Sequence, residues 1–388
     1  MLGTARRANY RGQTNSSPRA CARGLPKGPY GPKLVQPKLQ SPDRLTIERP
    51  DEFPINWVAG QFAVAPIVRH ARLAFAAGVC YHRRNIRVRI PLIRLIDLWL
   101  SRHAGPSAAA RAAVAGLKPM TVVTGGSRGI GLALARRFAK AGHDVGLVAR
   151  HADPLQVAAA SIARELHVTA LAVPLDVTDA AAARRIDAHL TANGFYLDTL
   201  INCAGIGLAG PFLSHSEDAI QRLLDVNVDA LTRLMRHALP AMLARAEGGI
   251  INVASLGGLV PGPNQAAYYA SKAYVVSLTR AVATENAGSG VRVMALAPGP
   301  VDTGFHHQMG ADLSFYRQLV LALSADQTAR AAYRGYVLGL HLVVPGITAK
   351  LLQIALWIIP HALLLPIIGW LLRRHEERPW SDTGDNEA

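Results

Sequence analysis

Cysteine is scarce in this chain of 388 residues, occurring at Cys21, Cys80 and Cys203 alone. Their spacing matches neither a thiolate metal site nor a redox pair, and an odd, sparse set suits a reducing compartment rather than a disulfide scaffold. No metal is therefore expected, and Cys203, placed just after a candidate strand, reads as a small buried filler. Acidic residues are also few, and the shortage is local. The chain carries 42 Lys and Arg against 26 Asp and Glu, a formal net charge of +16. Before Pro119 there are 20 basic and five acidic residues, whereas the remainder holds 22 and 21. The excess charge thus belongs to the N-terminal part, and a nucleic-acid-binding core is not supported. No acid precedes Asp43, and the apolar run of a secretory leader is missing.

Residues 1–52 are rich in Arg, Lys, Pro, Gly and Ser without hydrophobic periodicity, so a disordered basic extension is expected there. The composition has something of an organellar transit peptide, against which the prolines and the lack of amphipathic pattern argue. Residues 53–118 are expected to be partly helical. Within them Ile86 to Leu100 mixes arginines with Ile, Leu and Trp99, the pattern of a basic amphipathic helix that lies on an anionic membrane or packs on the main domain. Met120 stands immediately before the first core strand, which leaves open whether 1–119 belongs to the mature protein.

The main domain is expected over 119–305. Thr121–Thr124 is a β-branched strand, followed at once by Gly125-Gly-Ser127-Arg128-Gly129-Ile130-Gly131 and a helical pattern from Leu132. Glycines at a strand-to-helix turn let the backbone approach a pyrophosphate held at the helix N-terminus. The second strand, Val145–Ala149, ends at Arg150, where an NAD-selective site usually offers an acid to the ribose. With Arg128 as a second guanidinium, a 2′-phosphate is the better fit, so NADP(H) is expected over NAD(H). Further strands at Val168–Val173 and Leu197–Ile201 alternate with helices, and Asp176 and Asn202-Cys-Ala204-Gly205 follow their ends. Such alternation implies a single α/β domain, a Rossmann-type doubly wound parallel sheet with helices on both faces.

The chemistry is expected from Tyr268 and Lys272, which stand i, i+4 at the start of a helix and so share one face. A nearby ammonium favours the phenolate and is expected to lower the tyrosine pKa, making it a proton donor and acceptor for an alcohol or ketone. Ser255 closes the fifth strand, Asn227 lies among apolar neighbours in a long helical stretch from Glu217 to about Ala246, and Pro298-Gly299-Pro300-Val301-Asp302-Thr303 forms a rigid turn after the sixth strand. On its own, Asn227 could simply satisfy a buried backbone group.

Taken in order, the glycine turn, Asn202-Cys-Ala-Gly205, Asn227, Ser255, Tyr268-x-x-x-Lys272 and Pro298-Gly299 resemble the complete pattern of the short-chain dehydrogenase/reductase superfamily over about 120–303. The resemblance implies roles. Tyr268 would be the general acid in reduction, Lys272 would lower its pKa and bind the nicotinamide ribose, and Ser255 would polarise the substrate oxygen. Asn227 would hold a water linking Lys272 to solvent. Asp176 and Val177 would lie at the adenine, and Asn202, Ala204 and Gly205 along the cofactor. A homo-dimer or tetramer, paired through the helices that carry Asn227 and Tyr268, is also implied.

Residues 306–350 are expected to form pocket helices, with 306–340 mainly helical. The tail, 351–388, begins with an almost wholly apolar stretch to Leu372, bounded by Lys350 and by Arg373-Arg374. Three readings stand: a membrane span, a hairpin lying in one leaflet of a membrane surface, or an apolar cap over a greasy pocket. Pro360 and Pro366 favour short helices meeting at an angle, and the hairpin is preferred. The tail resembles those of bacterial members close to the DltE-like branch. Either of the last two readings implies a lipophilic carbonyl or alcohol substrate of acyl-chain, sphingoid or steroid kind. A cytoplasmic protein, peripheral on the membrane, is expected. The alternative is a non-catalytic, cofactor-binding scaffold of the same fold.

Overall fold

The computed structural model describes residues 106–310 and 322–373. The basic extension, the amphipathic stretch 86–100 and Arg374 lie outside the described residues. Seven strands form one parallel sheet: β1 (Lys118–Thr124), β2 (Asp144–Ala149), β3 (Ala170–Pro174), β4 (Phe195–Asn202), β5 (Gly249–Val253), β6 (Arg292–Leu296) and β7 (Leu342–Val343). Their order is β3-β2-β1-β4-β5-β6-β7, so the winding reverses between β1 and β4. Parallel strands need crossovers, and the helices that supply them cover both faces.

The helices are α1 (Gly129–Lys140), α2 (Ala152–Leu166), α3 (Ala182–Ala192), α4 (Glu217–Leu224), α5 (Leu231–Arg245), α6 (Ala266–Glu285) and α7 (Ala325–Leu338). One face of the sheet buries Leu134 and Phe138 of α1, Leu155 and Ile162 of α2, and Tyr333 and Tyr336 of α7. The other buries Ile186 and Leu190 of α3 with Leu234 and Met242 of α5. Each fully buried side chain of that size contributes about 1.5–3 kcal/mol. The strands are buried on both sides, which is why they read as continuous runs of Val, Ile and Leu rather than alternating ones.

The long helical stretch expected from Glu217 is present but not uniform. A single π-turn, Asp225–Ala230, joins α4 to α5 and carries Asn227. The region after Thr303 departs further from expectation. A short helix, Phe305–Met309, and a two-residue ribbon pairing Val301–Asp302 with Leu323–Ser324 precede α7. A capping box formed by Ser324 and Gln327 starts α7, and Gly339 ends it in the left-handed region at φ 70°.

The apolar tail forms two helices, α8 (Ile347–Ile358) and α9 (His361–Leu371). Ile359 is extended, as a residue before proline prefers, and Pro360 opens α9. No helix among the described residues is long and apolar enough to cross a membrane. The span is thereby set aside, because the proline break divides the apolar stretch into pieces of 12 and 11 residues.

Candidate active site

At the carboxyl edge of the sheet, where the winding reverses, lies a cleft of about 1320 Å3. Ligands of open α/β sheets sit at this place. One half is built on β1 and α1. Gly125 and Gly129 have φ of 66° and 58°, a region side chains rarely adopt. A Cβ on Gly131 would stand 2.2 Å from the Gly125 carbonyl oxygen, so the turn closes only around glycine. No side chain caps α1, and its first N–H groups are available to an anion. Ser127, Arg128, Ile130, Arg150, Asp176 and Val177 complete this half of the wall. The Asp176 carboxylate is partly committed, accepting from the Thr178 N–H at 2.9 Å and its hydroxyl at 2.8 Å.

A residue to which the sequence reading assigned no role holds the floor of the cleft. Thr124 Oγ1 accepts from the Cys203 and Ala204 N–H groups at 3.0 and 3.1 Å, tying the loop after β4 to the end of β1. Thr124→Val, nearly the same shape, would strand two partly buried donors. We expect it to destabilise the fold by about 2 kcal/mol in chemical denaturation. Ala204, Gly205 and Cys203 line the cleft above it. Burial pushes the Cys203 thiol up to about 12.

Asn202 does not reach the wall. Its Nδ2 donates to Asn252 Oδ1 at 2.9 Å, and Asn252 in turn donates to Thr279 Oγ1. The two asparagines are register partners on β4 and β5, and both face the α6 side of the sheet. Asn227 also stands behind the cleft. Its amide takes the Ile206 N–H on Oδ1 at 2.9 Å and gives Nδ2 to the Ile206 carbonyl at 2.8 Å and to Ser271 Oγ at 3.1 Å. It thus clamps the Gly205–Ile206 backbone, the plain role that the sequence also allowed.

The reactive group is assembled from β5 and α6. Ser255, Tyr268 and Lys272 line the cleft together, facing the glycine turn. The Ser255 hydroxyl neighbours the Tyr268 phenol on the cleft wall, and Ser255 Oγ accepts the Gly257 N–H at 3.1 Å. Lys272 donates to the Val253 carbonyl at 3.0 Å, and its Nζ stands 5.9 Å from the centre of the Tyr268 ring. Burial pushes the Tyr268 phenol up to about 12, against the lowering by the Ser255 hydroxyl. Loss of water around the phenolate outweighs what the Ser255 hydroxyl contributes, so the direction is upward, opposite to the depression expected from Lys272. Burial likewise lowers Lys272 to about 8. Pro298, Gly299, Val301 and Thr303 close the wall beside this group.

The remaining wall, outside every motif, is mixed: Asp218, Gln221, Arg222, Asp225 and Gln265 stand on it beside an apolar part. Leu208, Val260, Phe305 and Met309 form that apolar part. Tyr269 packs edge-on to Tyr268, with ring centres 6.1 Å apart. A Cβ on Gly262 would meet the Tyr269 ring at 2.3 Å, so this glycine makes room for it. The roof comes from the tail: Leu356 and Leu364 are buried against Val260 and Tyr269. Asn264 Nδ2 donates to the Gly369 carbonyl at 3.0 Å, pinning α9 over the cleft. Of the readings of the tail, the cap over the pocket is therefore present.

Residues 119–314 match the short chain dehydrogenase family. A short chain dehydrogenase of Pseudocercospora fijiensis is 36% identical over 184 residues, 47% of this chain and 59% of that protein. The chain thus spans little more than half of that relative's length. The meso-2,3-butanediol dehydrogenase of Serratia marcescens is 32% identical over 220 residues, 56% of this chain and 86% of that protein. Among solved structures, a short-chain dehydrogenase from Sphingobium yanoikuyae in complex with NADPH matches with a TM-score of 0.55 at 30% identity, covering 63% of this chain and 97% of that one.

Proposed function

The chain belongs to the short chain dehydrogenase family, and on that footing we propose that it is an NADP(H)-dependent oxidoreductase interconverting a lipophilic ketone and its secondary alcohol. The observation that carries this reading is that Ser255, Tyr268 and the buried Lys272 converge on the same cleft as an uncapped, glycine-lined helix start. The bound nicotinamide would supply or accept the hydride. Ser255 would hold the substrate oxygen, and Tyr268 would give it a proton. A phenol at about 12 is protonated at neutral pH, which suits the acid of a reduction. Lys272, at about 8, is cationic there and steadies the charge that Tyr268 takes on as its proton leaves.

Arg128 and Arg150 are both exposed on the cleft wall, within the half that would take the adenosine. The NADPH held by the Sphingobium protein supports the same cofactor here. Arg150→Asp is expected to shift the NADPH-to-NADH ratio of kcat/KM toward NADH by roughly 10–100-fold, the worth of one charge-assisted contact. Steady-state rates with both cofactors measure it, and an unchanged ratio would remove Arg150 from the reading.

The apolar part of the wall, through Leu208, Val260, Phe305 and Met309, and the apolar roof support the lipophilic substrate. Mass spectrometry of copurifying lipids, followed by NADPH oxidation with the matching ketones, tests that class; silence across lipophilic and polar carbonyls would favour the scaffold. The same reading keeps the divisions at 119–305, 306–350 and 351–388, a homo-dimer or tetramer, kinship with the DltE-like branch through the tail, and a cytoplasmic protein peripheral on a membrane.

A further inference from the structure

The two tail helices have two apolar faces. On α8, Ile347, Leu351, Ile354 and Ile358 follow one another at i, i+4, i+7 and i+11, one stripe of a helix. All four are exposed, Ile347 at 78% and Ile358 at 74%. On α9, Leu363, Ile367 and Trp370 repeat at i, i+4 and i+7, each at least half exposed. Contiguous exposed apolar surface of this extent marks a contact site. On α8 the opposite face, through Leu356, and on α9 the adjoining face, through Leu364, roof the cleft.

The two faces meet. Leu352 and Ile367 line the cleft and are also exposed, so an apolar path runs from the outer stripe to the pocket interior. Charge decides what covers the stripe. No Asp or Glu occurs between Asp326 and Glu376, while the exposed Lys350 and Arg373 lie near either end of the helix pair. In a two-fold dimer the same patch meets itself, which would set these cations against one another with no acid of the segment to pair them. An anionic lipid surface pairs them instead and accepts the stripe. At 1.5 Å per residue the helices are about 18 and 16 Å long, short of the roughly 30 Å hydrocarbon core, so they lie in the surface rather than across it.

Resting on the proposed function, we infer that the outer face of α8 and α9 seats on an anionic bilayer and that the ketone passes directly from the lipid into the cleft along Leu352 and Ile367. Ile354 and Ile358 do not line the cleft, so Ile354→Glu/Ile358→Glu tests the surface without touching the site. Flotation with phosphatidylcholine vesicles, with and without phosphatidylglycerol, should show the wild type on the anionic vesicles. The double variant should bind roughly 100-fold more weakly, the effect of withdrawing two isoleucines from lipid. Turnover of a long-chain methyl ketone carried in the vesicles should follow its mole fraction in lipid and fall with the variant. Cyclohexanone turnover should stay unchanged, which also reports an intact fold. A wild type that does not float, a variant that still does, or a lipid-free dimer split by the variant would overturn the surface. Vesicle-borne turnover unaffected by the variant would overturn the route. Flotation without turnover of either ketone would overturn the route and the oxidoreductase reading while leaving the surface standing.

Discussion

Tyr268→Phe is expected to lower NADPH-dependent ketone reduction by roughly 1,000-fold, the scale of removing a general acid. The ring would stay in place, since its packing with Tyr269 and Phe305 does not use the hydroxyl. What is lost is the proton, together with the hydroxyl that neighbours Ser255. Fluorescence titration should therefore find NADPH still bound, with the deficit in kcat rather than in cofactor affinity. Near-normal turnover would mean that the proton comes from elsewhere and that Ser255, Tyr268 and Lys272 share the cleft for structural reasons only.

The second large effect is expected at Gly131. Its Cβ would fall 2.2 Å from the Gly125 carbonyl oxygen and 2.8 Å from that carbonyl carbon, both backbone atoms that cannot rotate aside. Gly131→Ala must open the turn between β1 and α1. A displacement of about 1 Å at a positioning element costs on the order of 100-fold, and NADPH affinity in calorimetric titration is expected to fall by that factor. Circular dichroism would report whether the sheet persists. Wild-type affinity in a folded variant would show that this turn does not cradle the pyrophosphate.

These two sites were legible in the sequence for the same reason. The glycine turn and the Tyr–Lys pair are local: strand, turn and helix follow within a few residues, and i, i+4 spacing fixes a common face. Long-range consequences were not legible. Asn202 stands at the end of a strand that leads to the cleft, yet strand alternation turns its side chain to Asn252 and away from the wall. The role of Thr124 depends on β1 and β4 being neighbours, though 79 residues separate it from Cys203. The seventh strand has two residues and so no pattern to read. The direction of the Tyr268 shift was missed because a sequence shows the neighbouring charge and not the water excluded around it.

The π-turn at Asp225–Ala230 has a consequence for the chain's tolerance of length change. Successive residues of an α-helix are rotated by about 100°, so one widened turn acts as a phase correction between its two ends. It lets Asn227 meet Ile206 while Leu231 and Leu234, a turn later, still point into the core. An insertion or deletion of one residue between Glu217 and Leu231 would spin one end against the other and could not be absorbed at a loop. The Ile206 backbone beside the cleft and the interior of the domain are geared together there, and this segment has little freedom to drift in length.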